Sequence, residues 1–154
     1  MAETVLVVGA TGTIGGAVAA ELARDYTVIA ASRTGDEQID LSDLSSVETG
    51  IDRIGSAAGP LAGFIVCSGG GIVGAIEDLD LEAILPRLDT KLLGQVAVVR
   101  HGCRYVRPGG AIVLTSGMLE KHPLPGTSHL AIINSAIGGF VRASATELDS
   151  VRVC

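Results

Sequence analysis

The sequence predicts an α/β protein, a doubly wound parallel sheet of about six strands with helices on both faces. Three observations predict it. Short β-branched runs alternate with longer segments whose apolar residues recur at helical spacing. One run, residues 61–67, is apolar throughout except for Gly63, as strands covered on both faces are. Between the first strand and the first helix stands a glycine turn, Gly9-Ala10-Thr11-Gly12-Thr13-Ile14-Gly15. Strands joined by helices of this length require right-handed crossovers, and these make the sheet parallel.

Val5-Leu6-Val7-Val8 is the first strand and stops at Gly9. Ile14, Ala17, Val18 and Leu22 then share helical spacing up to Arg24. Residues 26–31 form a second buried strand and residues 38–41 a third. Ser42 or Asp43 caps a helix reaching about residue 54, because either side chain can accept from the free amides of a first turn. Residues 61–67 are the fourth strand, ended by Gly69-Gly70-Gly71. A long helical stretch over 81–106, interrupted at Pro86, is stopped by Pro108-Gly109-Gly110, and residues 111–115 are the fifth strand. Residues 118–126 hold two prolines and read as a loop. A helix over 128–148 carries the apolar stripe Leu130, Ile133, Ile137, Phe140, Val141 and Leu148. Residues 151–154 begin a sixth strand.

Composition bounds the function. A chain of 154 residues that is 47% hydrophobic and 18% charged folds as a single domain, taken as 1–154. The net charge of −6 and the four aromatic residues argue against nucleic-acid partners, which need basic surfaces and stacking platforms. No apolar run approaches the ~18 residues that span a bilayer. The N-terminus is acidic at Glu3, so a cytoplasmic protein without a membrane partner is expected. Cys67, Cys103 and Cys154 are odd in number and scattered, which favours reduced, mostly buried thiols. No metal site is expected: His101 and Cys103 diverge on a helix, and His122 and His129 lack a partner at ligand spacing.

The glycine turn is the informative motif. Glycine lets the backbone approach a pyrophosphate closely, and the following helix offers unpaired amides and about half a positive charge. Gly9, Thr11, Gly12, Thr13, Ile14 and Gly15 are therefore candidate cofactor-binding residues. An NAD site would place a carboxylate at the end of the second strand to accept from the ribose 2′-hydroxyl. Here the residues are Ser32-Arg33-Thr34, a hydroxyl and a guanidinium suited to a 2′-phosphate, so NADP(H) is the expected cofactor.

The segment Val7-Val8-Gly9-Ala10-Thr11-Gly12-Thr13-Ile14-Gly15 resembles the nucleotide-binding segment of the short-chain dehydrogenase/reductase family, a Rossmann-fold family, and the likeness extends along the whole chain. Asp40-Leu41 resembles the family's Asp-hydrophobic pair that holds the adenine. Cys67-Ser68-Gly69-Gly70 stands where the family usually has Asn-Asn-Ala-Gly, which adds Ser68, Gly69 and Gly70 to the cofactor set.

The resemblance also implies a catalytic group, and here the sequence departs from it. The family uses a tyrosine with a lysine four residues later, a serine, and an asparagine that anchors a water. Leu130 stands at the tyrosine position and Asn134 at the lysine position. Ser116 matches the serine, and Lys91 stands in the asparagine's place. Lysine and asparagine have thus exchanged places, and Ser116, Lys91 and Asn134 are the candidate catalytic residues. The alternative for Lys91 is a solvent-facing charge on its helix. His129 would face the site only if its helix begins irregularly.

Three readings follow. The first is an NADP-dependent oxidoreductase acting on a small carbonyl or alcohol substrate. The second keeps the pocket for isomerase, cyclase or dehydratase chemistry, and the third is a dinucleotide-binding sensor or partner protein without turnover. Ser135, Gly138, Gly139 and Ala143 are small enough for another helix to approach, and the resemblance implies a homo-oligomer, a dimer or tetramer, across that helix. Family members continue past the sixth strand through a segment that covers the substrate. The chain therefore reads as truncated after the start of that strand or as a shortened member with an exposed sheet edge.

Overall fold

The computed structural model describes residues 2–67, 69–71 and 73–154. The chain alternates β1 (Thr4–Val8), α1 (Thr13–Leu22), β2 (Thr27–Ser32), β3 (Glu37–Gln38), α2 (Leu44–Ala58) and β4 (Leu61–Val66). It continues through α3 (Leu81–Arg87), a π-helical segment Leu88–Leu93, α4 (Gly94–Gly102), β5 (Val106–Leu114), α5 (Ser128–Ser144) and β6 (Arg152–Val153). The strands form one sheet in the order β3-β2-β1-β4-β5-β6, every pair parallel. This is the doubly wound sheet that the sequence predicts. Its order reverses between β1 and β4, and ligands of such sheets bind outside the carboxyl ends of the strands at that point.

The larger apolar cluster lies on one face, while Val5 and Val7, also buried, point to the other. Leu6, Val8, Phe64, Val66, Ile112 and Leu114 project from the strands onto Val47 and Ile51 of α2, Val98 of α4 and Ile133 and Ile137 of α5. No residue of α1 belongs to that cluster. Ile14 is 63% exposed, so its place in the helical repeat of α1 does not mark a core position. β2 is only partly covered: Ala31 and Ser32 are buried, whereas Thr27 and Ala30 are exposed. The cysteines also differ from expectation, since Cys67 and Cys103 are half-buried and Cys154 is exposed.

Element boundaries moved where tertiary contacts overrode local signals. β3 lies at 37–38, so Asp40 and Leu41 fall in the turn after it, and Asp43, not Ser42, caps α2 by accepting from the Ser45 and Ser46 amides. Pro108-Gly109-Gly110 does not precede β5 but lies within it. The strand starts at Val106 and absorbs these residues in a register shift between Leu61 and Gly63 of β4, as a bulge does. Pro86 sits inside α3, and the disturbance comes just after it, where the helix widens to a π-turn over Leu88–Leu93. α5 stops at Ser144, short of the expected 148.

Candidate functional site

The turn from β1 to α1 is shaped by its own backbone. Gly9 has φ +84°, and a Cβ there would stand 2.2 Å from the Cys67 carbonyl oxygen. A Cβ on Gly15 would come within 2.1 Å of the Gly9 oxygen. Gly12 is different: its Cβ would meet only the Gly9 oxygen, at an ordinary 3.4 Å. The fold thus requires glycine at 9 and 15, while at 12 it leaves open space in front of the helix. No side chain caps α1 at Gly12, so its first-turn amides are left to an outside partner.

That turn opens into a cleft of about 310 Å³. Val8, Gly9, Thr11 and Gly12 form one wall, and Ser32, Arg33, Asp40, Leu41 and Ser42 another. Cys67, Gly69, Arg87 and Thr90 close the third side. Ser32 is 4% exposed, and its hydroxyl has no partner among the described residues. A buried hydroxyl without a partner at the mouth of a polar cleft suits a ligand that supplies one. The Asp40 carboxylate accepts from both the Ser42 hydroxyl, 2.6 Å, and the Ser42 amide, 2.9 Å. These bonds, with Arg33 nearby, hold its carboxyl below the usual carboxylate range.

A second group gathers where β5 ends. Lys91 is 7% exposed and Asn134 2%, and the Lys91 ammonium donates to Asn134 Oδ1 at 2.9 Å. The Ser116 hydroxyl donates to the Asn134 backbone oxygen at 3.1 Å. Three elements supply this group: the π-helical segment, the segment beyond β5 and α5. Burial pushes the Lys91 ammonium below the usual lysine value, and no carboxylate among the described residues compensates the charge. Thr90, beside Lys91, lines the cleft, and Cys67, also in the cleft, has its thiol raised by burial and bonded to Thr115, beside Ser116. The group therefore adjoins the cleft.

Most of the expected residues converge, with exceptions. Gly9, Thr11, Gly12, Ser32, Arg33, Asp40, Leu41 and Gly69 line the cleft. Thr13, Ile14 and Gly15 form the first turn of α1. Gly70 lies beside the Arg87 guanidinium, which would stand 3.6 Å from a Cβ at that position. Thr34 is exposed and does not line the cleft. Ser68 lies outside the described residues. His129 is 1% exposed and lines a separate 80 Å³ cavity with Asp78, Asp80 and Ile84. Leu130 packs on Gly71, where a Cβ would come within 2.0 Å of Leu130 Cδ2. Gly138 is occupied within the chain by Glu120, 2.6 Å from the site of a Cβ, so it does not leave a free path for another helix. Arg87 and Thr90 were not expected in the cleft. Their spacing from Lys91, four residues and one, was the available signal.

A parallel sheet with a glycine turn at its reversal point and a polar cleft beside it defines a Rossmann-type α/β protein. The family model described as enoyl-(acyl carrier protein) reductase matches residues 5–153. Among solved structures, the chain is similar to a small-chain dehydrogenase in complex with NADPH, 34% identical with a TM-score of 0.89, covering 99% of this chain and 68% of that one. A short-chain dehydrogenase from Burkholderia cenocepacia in complex with NADP is 25% identical with a TM-score of 0.85, covering 97% and 70%. An uncharacterized oxidoreductase of Schizosaccharomyces pombe is 27% identical over 96% of this chain, which spans 56% of that relative's length. The chain belongs to the short-chain dehydrogenase/reductase family. No helix among the described residues is long and apolar enough to cross a membrane.

Proposed function

We propose that residues 1–154 form one domain that binds NADP(H) and acts as an NADP-dependent oxidoreductase on a small carbonyl or alcohol substrate. The observation that carries this reading is the group of buried Lys91 and Asn134 with half-buried Ser116, beside a cleft lined by Gly12 and Arg33. The first-turn amides of α1 and the Thr11 and Gly12 backbone would hold the pyrophosphate, Arg33 and Ser32 the 2′-phosphate, and Asp40 and Leu41 the adenine. Bound NADP(H) supplies or accepts a hydride. The chain supplies the rest. Lys91 has three ammonium protons and spends one on Asn134, which leaves two to polarise a substrate oxygen or pass a proton to it. Ser116 would turn its hydroxyl from the Asn134 backbone oxygen to that oxygen. The exposed Ile132, Ser135 and Ala143 of α5 support a homo-oligomer that pairs this helix, with the protein working in the cytoplasm.

Leu130, in place of a tyrosine, favours a second reading in which the fold binds the dinucleotide without hydride transfer. One experiment separates the two and tests the cofactor. NADPH absorbance is followed against a panel of small carbonyls, and binding is measured alone for NADPH and NADH. Arg33→Ala is expected to weaken NADPH by about 10- to 100-fold, the worth of a charge-assisted pair, and NADH by less than about threefold. Equal loss for both overturns the NADP(H) assignment, and tight NADPH binding without oxidation favours the second reading.

A further inference from the structure

One fully buried polar side chain has no part in that chemistry. Gln95, at 0% exposure, lies in the first turn of α4, four residues after Lys91. Its Nε2 donates to the Lys91 carbonyl at 2.6 Å and to the Thr115 carbonyl at 3.0 Å, and its Oε1 accepts from the Thr115 amide at 2.8 Å. Both donors of the carboxamide are engaged, so its geometry is fixed by three backbone atoms on two elements.

The placement of these atoms gives the contacts their meaning. β5 ends at Leu114, so Thr115 lies past the last rung of the sheet, where no strand supplies partners for its amide and carbonyl. Gln95 supplies both, and the Thr115 hydroxyl donates to the Val66 carbonyl of β4. On the other side, Lys91 lies in the π-turn, where the regular helical ladder is interrupted. There Gln95 takes the Lys91 carbonyl through its side chain. The carboxamide therefore ties the turn that bears Lys91 to the residue that precedes Ser116.

We propose that Gln95 is a positioning residue that sets the separation of the Lys91 ammonium from the Ser116 hydroxyl without itself touching substrate. The proposal rests on the reading of Lys91 and Ser116 as the groups that act on the substrate oxygen. A buried glutamine that merely satisfied the backbone would affect stability alone. A positioning residue affects where the ammonium sits, and therefore both its environment and its effect on turnover.

The test uses the fact that the chain has only two lysines, Lys91 and Lys121. Lysine labelled with 13C at Cε gives two resonances, the one lost in Lys91→Met belongs to Lys91, and its midpoint can be read with or without turnover. Gln95→Met removes all three bonds at similar volume, and Gln95→Asn keeps the amide one carbon too short to span both elements. Should the methionine variant fail to fold, the asparagine variant carries the test. In either, the Lys91 midpoint is expected to rise toward the ordinary lysine value of 10.5, kcat to fall by about 10- to 100-fold, and the NADPH Kd to stay within about twofold. A lowered thermal midpoint with the Lys91 titration and kcat unchanged overturns the proposal. The same substitution made with Lys91→Met tells the two readings apart. If Lys91→Met alone leaves kcat unchanged, the reading of the site fails and the proposal with it. If Lys91→Met is severe and the Gln95 effect adds to it in full, the site stands and Gln95 does not act through Lys91.

Discussion

Lys91→Met is expected to lower kcat by about 10²- to 10³-fold, the usual cost of removing one preorganised donor from a developing oxyanion. NADPH binding should change little, because Lys91 does not line the cleft. The loss follows from the surroundings of the ammonium. It is buried against Asn134 with no carboxylate partner among the described residues, so its field would reach a bound substrate little screened. Burial also lowers its pKa from the ordinary lysine value of 10.5. If the protonated form is the active one, turnover by the native protein falls as pH rises through that lowered value. Stability moves the other way. A lysine whose folded pKa lies below its unfolded one binds fewer protons when folded, so burying its charge opposes folding at neutral pH. That penalty is relieved as pH rises from the lowered value toward 10.5. The thermal midpoint of the native protein should therefore gain on that of Lys91→Met across this window, in scans at stepped pH.

Two glycines of the turn should separate folding from binding. Gly9→Ala is expected to cost about 2–6 kcal/mol through left-handed strain together with overpacking against the Cys67 carbonyl. That is a large part of the ~5–15 kcal/mol that holds a domain folded. Chemical denaturation should show it as an early midpoint or as no folded baseline. Gly12→Ala meets no such contact, and its stability should stay within about 1 kcal/mol of the native protein, as for an unobstructed surface change. On the proposed reading its methyl group would occupy the space a pyrophosphate needs, and NADPH binding should weaken by about two orders of magnitude, roughly 2.8 kcal/mol. A Gly12→Ala protein that binds NADPH normally would remove the phosphate from this turn.

What was legible in the sequence was local. The path from Val5 to Gly15 declares itself because strand period, glycine and helix period follow one another within eleven residues, and each is set by near neighbours. The exchange of Lys91 and Asn134 could be read from their positions, but whether Lys91 faced solvent could not. That depends on α5 bringing Asn134 against it from 43 positions away. The start of β5 was missed because Pro108-Gly109-Gly110 looks like a break to any local rule, whereas a bulge opposite β4 accommodates all three. Ile14 belongs to a helical repeat yet is 63% exposed, because spacing alone does not say which turn of a helix reaches the sheet. Arg87 joins the cleft although a proline precedes it and a π-turn follows. Neither the widening of that turn nor the span of Gln95 has a signature in residue spacing, since both arise where three elements meet.

The central claim is that the cleft between the glycine turn and Arg33 takes NADPH in preference to NADH. Calorimetric titration of the native protein with each dinucleotide, at low and at high salt, tests it most directly. The account predicts saturable one-to-one binding of NADPH, tighter than NADH, with the margin narrowing as salt screens the Arg33 contact. No saturable heat from either, or equal affinities at both salt concentrations, would contradict it.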